Sequence, residues 1–89
     1  QGDYVRHVDK YLKKYGQKNA MLLHQYAATF LRQFNQKNLL EKAAGWSKKA
    51  CEIDHQKKYL KTYAALLQKL GKVAESKEIL DKIKALGAS

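Results

Sequence analysis

The feature that most constrains the fold is an internal repeat. The tripeptide Tyr-Ala-Ala at residues 26–28 recurs at residues 63–65, which is 37 residues further along the chain. Periods of roughly 20–50 residues are typical of arrays in which each unit buries its apolar face against the next. Proteins of this kind usually offer a surface for binding other molecules rather than a catalytic centre. The repeat therefore predicts a stack of similar units and a binding role.

The composition predicts that these units are helical. The 89 residues include no proline and only five glycines, and the rest is rich in Ala, Leu, Lys, Gln and Glu, which favour helix. Apolar residues recur every three or four positions, and no stretch alternates long enough to form a strand. We expect an all-α fold of about five helices in a single domain, residues 1–89.

The helical periodicity divides the chain into three parts. A leading or capping helix is predicted at residues 3–16, a first hairpin at 20–54 and a second hairpin at 55–87. Because the links are only two to four residues long, consecutive helices should lie antiparallel as neighbours. The side chains expected to cap the helices at their N-termini are Asp3, Asn19, Asn38 and Asp54.

The same periodicity predicts which residues are buried. Tyr59 lies off the apolar stripes, and Trp46 lies on one and should pack between the hairpins. Alanines at the packing points, Ala74 among them, should let the helices of each hairpin approach closely. The tyrosines predicted to lie in the core are Tyr4, Tyr11, Tyr15, Tyr26 and Tyr63.

The second hairpin resembles a tetratricopeptide repeat (TPR). Residues 63–76 are similar to the pattern of that family: a small residue at the packing point, a glycine turn at Gly71 and a Glu-Ala-like pair, followed by apolar residues at helical offsets. Ser76 stands where the family usually has alanine, and His55 where it usually has proline. The resemblance covers residues 20–86. It implies a right-handed solenoid of antiparallel hairpins with a concave groove that binds proteins.

A second resemblance concerns the first half of the chain. Residues 4–16, with the helix at Tyr26 and residues 39–43, look like the helical C-terminal tail of certain bacterial envelope thioredoxin-family proteins. This implies a piece of a longer bacterial protein, in the periplasm or cell envelope, whose helices brace an upstream thioredoxin-like domain of the same chain. No catalytic residue carries over. The residues themselves indicate no compartment.

Aligning the two hairpins predicts the residues that line the groove. Four of them are basic, so the expected partner is a protein or an acidic peptide. Ala28 and Thr62 stand where the carboxylate clamp of some TPR proteins would need asparagines, which argues against that clamp. The predicted groove residues are Met21, His24, Gln25, Ala28, Leu31 and Arg32 from the first unit, and Lys58, Lys61, Thr62, Ala65, Gln68 and Lys69 from the second.

Nothing in the sequence indicates catalysis. The three histidines lie in different segments without zinc-ligand spacing, and there is neither a glycine-rich phosphate loop nor a nucleophile motif. Cys51, the single cysteine, has Lys48 and His55 one helical turn away on either side, and we interpret it as a structural residue. We therefore expect no enzyme activity, no cofactor and no metal.

The net charge of +10 leaves other interpretations open. The lysines could form only a solvated surface, or they could serve a non-sequence-specific nucleic-acid binder in which tyrosines stack on bases. We rank nucleic acid lower because most tyrosines are predicted to be core. No apolar run is long enough to span a membrane. Two hairpins leave their outer faces incompletely covered, so a dimer or contact with another domain is a further possibility.

Overall fold

The computed structural model describes residues 2–87, which form five α-helices and no strand. This confirms the all-α prediction. None of the helices in this range is long and apolar enough to cross a membrane. The helices are α1 (Gly2–Tyr15), α2 (Ala20–Gln33), α3 (Lys37–Ile53), α4 (Lys57–Lys69) and α5 (Val73–Gly87).

The helices pack mainly on their neighbours in the chain. α3 packs against both α2 and α4, α4 packs against α5, and α1 packs against α2. In addition, α2 and α4 lie side by side. The rings of His24 and Tyr59 meet near the beginning of these two helices, with centroids 4.8 Å apart. Lys69 at the end of α4 reaches the carbonyl oxygen of Phe34 just after the end of α2. Helices α2 and α4 therefore run in the same direction.

One of the predicted N-caps is confirmed. The Asn19 side chain accepts a hydrogen bond from the backbone N–H of Leu22 at 3.1 Å and so caps α2. Asn38 was expected to begin the third helix, but α3 already begins at Lys37, with Gln36 in the N-cap position. The reason is that α2 ends early, since the N–H of Phe34 closes its last turn on Phe30.

The predictions for Asp54 and Asp3 are wrong. Asp54 ends α3 instead of beginning α4, because its backbone N–H donates to the carbonyl oxygen of Ala50 at 2.9 Å. Gln56 takes the N-cap position of α4, and its side-chain amide donates to the Asp54 carboxylate. Asp3 lies inside the first turn of α1, where its carbonyl oxygen is 2.8 Å from Nδ1 of His7.

The turn between α4 and α5 depends on Gly71. This residue has φ +83°, in the left-handed region that favours glycine. The N–H of Lys72 donates to the carbonyl of Leu67, and the N–H of Gly71 donates to that of Gln68. This pair of bonds is a Schellman motif, which ends α4 and turns the chain into α5. The glycine turn expected from the TPR-like pattern is thus present in the backbone geometry.

The core is centred on Phe30. Its ring is fully buried and meets Trp46 edge-to-face at 4.9 Å and Phe34 at the same distance. Trp46 itself is only partly buried, because one side of it borders a small hollow between α1 and α3. Trp46 was expected to pack between the hairpins, but its ring contact is with Phe30 of the same hairpin.

The burial of the tyrosines differs most from the prediction. Tyr4, Tyr11 and Tyr15 are 41%, 42% and 56% exposed, although they were expected in the core. The reason is that α1 has neighbours on one side only, and its buried ridge consists of Val8 and Leu12. Tyr59, placed off the apolar stripe, is only 2% exposed. It is buried where α4 packs against α2, and its ring lies against that of His24.

Small residues bring the helices close together, as predicted. Ala27 and Ala43 are completely buried, and Ala64 is nearly so. The exception is Ala74, which is exposed. The opposite face of α5 presents Ser76, and its small side chain is buried against α4.

Candidate functional site

Charge is distributed unevenly over the five helices. The chain has eight acidic residues, and all of them lie in α1, α3, α5 or the link after α3. Neither α2 nor α4 contains an aspartate or a glutamate, and these two helices contact each other and run in the same direction. Their basic residues are Arg32, Lys57, Lys58, Lys61 and Lys69. The two helices therefore form a surface with a one-signed charge, which we call the α2–α4 face.

An open hollow lies along α2 on this face. It has a volume of about 460 Å³, and its lining combines an apolar wall with polar and basic groups. Four of the lining residues were predicted for the groove: His24, Gln25, Ala28 and Arg32. The hollow therefore gathers most of the α2 residues that were expected to bind a ligand.

The histidine of this group contacts α4. His24 packs on the ring of Tyr59, and the ammonium of Lys58 lies 5.5 Å from the centre of the same ring. Burial disfavours the charged imidazolium and lowers the pKa of His24, and repulsion from Lys58 lowers this pKa further. At neutral pH the ring is therefore uncharged. Its Nδ1 is buried without a hydrogen-bond partner among the described residues.

The α4 residues of the predicted groove differ in how available their side chains are to a ligand. Lys58, Lys61 and Gln68 are exposed. Thr62 is partly buried, and its hydroxyl donates to the carbonyl of Lys58 at 3.3 Å, one turn earlier. The Thr62 hydroxyl is thus less available to a ligand than its position in the sequence suggested.

The ammonium of Lys69 is already hydrogen-bonded within the fold. Its ammonium donates to the carbonyl oxygens of Leu31 at 2.8 Å and Phe34 at 3.0 Å. Both carbonyls belong to the C-terminal end of α2, where a cation is favourable because the helix dipole is negative there. Lys69 therefore joins α4 to α2 and is held away from a ligand.

Three residues of the hollow were missed by the sequence reasoning: Leu22, Tyr26 and Thr29. Tyr26 had been assigned to the core, but it is only partly buried and also contacts Tyr11 of α1. The sequence does carry a signal for the exposure of Tyr26 and its neighbours Tyr11 and Tyr15, since tyrosine is amphipathic and tolerates a half-exposed position.

Cys51 lies at a separate hollow on the other side of α4. This hollow, of about 410 Å³, is also lined by Lys48 and His55, the two neighbours that could have activated the thiol. Burial raises the pKa of Cys51 to about 11, and Glu52 adds to this increase. Since the thiolate is the reactive form, Cys51 is a poor nucleophile at neutral pH. Among residues 2–87 no group of His, Cys, Asp and Glu side chains could hold a metal ion.

Comparison of the chain with models of known protein families, with curated proteins and with solved structures finds no match.

Proposed function

We propose that this chain is a non-catalytic module that binds an acidic peptide or an acidic protein segment on the α2–α4 face. The observation that carries the proposal is the complete absence of acidic residues from two adjacent parallel helices, in a chain that has eight acids elsewhere. A one-signed surface attracts a ligand of opposite charge and orients it on approach. The hollow along α2 supplies the concave shape that a bound segment needs.

The packing also supports a TPR-like architecture within this proposal. In a TPR-like solenoid the first helices of successive hairpins lie parallel and line the concave side, and here α2 and α4 would be those helices. The buried pair Ala27 and Ala43 would mark the close approach within the first hairpin, and Ala64 with Ser76 that within the second. Helix α1 would then be the second half of a preceding hairpin or a cap.

The electrostatics set the expected character of the interaction. The basic side chains are exposed, so their attraction for a carboxylate is screened at distances beyond about 8 Å at physiological ionic strength. Exposed pairs contribute only about 0–1 kcal/mol each. We therefore expect weak binding that depends strongly on salt and requires several charges together.

The test is charge reversal on the proposed face, with a control of equal net charge. The test variant carries Arg32→Glu, Lys58→Glu and Lys61→Glu. Lys69 is left unchanged because its reversal would disturb the fold. The control variant reverses three exposed lysines of α1 and α5: Lys10, Lys77 and Lys84.

Binding of a fluorescein-labelled polyglutamate peptide is measured by anisotropy at low and at physiological salt. We expect the test variant to lose binding by at least about tenfold, since three charges change sign. The control variant should retain most of the affinity. Equal losses in the two variants would show that net charge alone attracts the peptide, and unchanged affinity in both would exclude the face.

A structural role is the second candidate, and a different surface favours it. Helix α5 exposes Val73 (65%) and Leu80 (47%), which lie two turns apart on the same face and leave apolar area uncovered. Such a patch can mark contact with another protein. It fits the bracing of an adjacent domain, for which the second resemblance suggests a thioredoxin-like domain, or a dimer. Sedimentation of the chain and of its Leu80→Glu variant would reveal a dimer formed through α5, which would dissociate in the variant.

A further inference from the structure

A row of exposed aromatic rings continues from the hollow on α2 to the surface of α1. Tyr11 meets Tyr26 at 6.0 Å between ring centroids and Tyr15 at 5.2 Å. Tyr26 also forms part of the wall of the hollow, beside Leu22. The aromatic row and the α2–α4 face are therefore one continuous surface, apolar at one edge and basic at the other.

The exposure of this row calls for an explanation. Tyr11 and Tyr15 leave about half of their surface in contact with water, although α1 has a buried ridge of its own. The acidic Asp9 lies away from the row, because its carboxylate pairs with Lys42 of α3 and with Lys13. A basic group lies beside the row, since the Lys14 ammonium is 5.2 Å from the centre of the Tyr15 ring. An anionic ligand could thus reach the rings without repulsion from Asp9.

We infer that the acidic segment bound by this chain carries one aromatic or large aliphatic side chain, which lies against Leu22, Tyr26 and Tyr11. This inference rests on the proposed function and names the ligand class of the same site. Tyr26 and Arg32 are six residues apart on α2, or about 9 Å along the helix axis. An extended peptide covers about 3.3 Å per residue. The apolar residue of the ligand therefore lies about three positions from the carboxylate that Arg32 binds.

The ring geometry favours a peptide side chain over a nucleic-acid base. A stacked base needs an open ring face. Here Tyr11 contacts Tyr26 edge-to-face on one side and Tyr15 at a tilt on the other, so both of its neighbours limit access to its faces. Lys14 lies over the ring of Tyr15. The accessible ring edges and the small hollow beside Tyr26 suit the insertion of a single apolar side chain.

The experiment compares labelled synthetic peptides of three designs, whose binding to the whole chain is measured by anisotropy. The first has four consecutive glutamates within a glycine–serine peptide. The second adds one phenylalanine three residues from the glutamates, in two versions that place it before or after them. The third has the same composition as the second, but its phenylalanine is separated from the glutamates by a long glycine–serine spacer. We expect one version of the second peptide to bind about tenfold tighter than the first and third, because a Phe side chain becomes partly buried.

Two variants of the chain test which surface causes the gain in affinity. Tyr11→Ser should remove most of the advantage in affinity that the second peptide has over the first. Val73→Ser, which removes an exposed apolar residue from α5, should leave all affinities unchanged. Circular dichroism and urea unfolding establish that both variants fold. If Tyr11→Ser unfolds, the milder Tyr15→Ser tests the same row from its more exposed end.

The possible outcomes separate the inference from the proposed function. If peptides of all three designs bind equally, the inference is wrong and acidic-segment binding stands. If none binds, both are wrong. If an oligothymidine of similar charge binds tighter than the second peptide at physiological salt, the row serves nucleic-acid bases, and the inference is overturned. An advantage for the second peptide that survives Tyr11→Ser and Tyr15→Ser would also overturn it.

Discussion

The hydroxyl of Ser76 donates a hydrogen bond to the carbonyl oxygen of Ala64 at 2.9 Å, across the buried contact between α5 and α4. The donor is 3% exposed, so water cannot replace this bond. The only other buried serine among the described residues, Ser47, is completely buried and its hydroxyl has no hydrogen-bond partner there. The two serines are thus matched in burial and opposite in hydrogen bonding.

This contrast predicts that substitution by alanine at the two positions changes stability differently. Ser47→Ala removes a buried unsatisfied hydroxyl and raises helix propensity, so the free energy of unfolding should increase by about 1 kcal/mol. Ser76→Ala gains similar propensity but loses a hydrogen bond worth about 0.5–1.5 kcal/mol, so stability should stay level or fall. Urea unfolding followed by circular dichroism measures both. Equal shifts in the two variants would contradict this account.

The sequence predicted the helices because their signals are local. The apolar spacing and the glycine turn at Gly71 are properties of a few consecutive residues, and so is the Asn19 cap. The caps at Asn38 and Asp54 failed although each residue is capable of capping, because the N-cap positions of α3 and α4 lie at Gln36 and Gln56, two residues from the expected places. The competition between ending one helix and beginning the next depends on packing that local signals do not contain.

The candidate site was predicted in part for the same reason. The alignment of the two repeats selected four residues that line the hollow along α2, because helical periodicity fixes direction around the helix axis. It could not show that Tyr59 becomes buried against α2, or that Tyr11 stays half exposed. Both depend on how many neighbours a helix has. The role of Lys69 was hidden as well, since its carbonyl partners are 35 and 38 residues away in sequence.

Lys69 should contribute to stability rather than to ligand binding. Lys69→Met keeps the aliphatic stem but removes the ammonium that binds Leu31 and Phe34, so we expect a loss of about 1 kcal/mol in the free energy of unfolding. Lys61→Met, on the exposed side of the same helix, should leave stability unchanged and weaken the binding of polyglutamate. Urea unfolding and anisotropy on both variants test this division. It fails if Lys69→Met binds more weakly but unfolds at the same urea concentration as the unchanged chain.

His24 should make stability depend on pH. Its pKa in the folded chain is lowered by burial and by Lys58, whereas in the unfolded chain the pKa should be about 6.5. The unfolded state therefore binds the proton more readily, and stability should be full above about pH 6.5 and fall as the pH drops below it. Urea midpoints between about pH 7.5 and about pH 5 measure the slope. His24→Gln should flatten it, while His55→Gln, at an exposed site, should not; identical slopes in the two variants would reject this assignment.

Gly45 and Gly71 should respond to alanine in opposite directions, because they differ in backbone conformation and not in available space. A Cβ added at either position has no heavy atom within 4 Å. Gly45 lies inside α3 with helical geometry, so Gly45→Ala should stabilise the chain by up to about 1 kcal/mol through helix propensity. Gly71 has φ +83°, where an L-residue is strained, so Gly71→Ala should destabilise the chain by about 1–2 kcal/mol. Urea unfolding of both variants provides the comparison. Stabilisation by Gly71→Ala would mean that the α4–α5 turn leaves the left-handed conformation without penalty, and the Schellman bonds from Gly71 and Lys72 would then contribute little to the second hairpin.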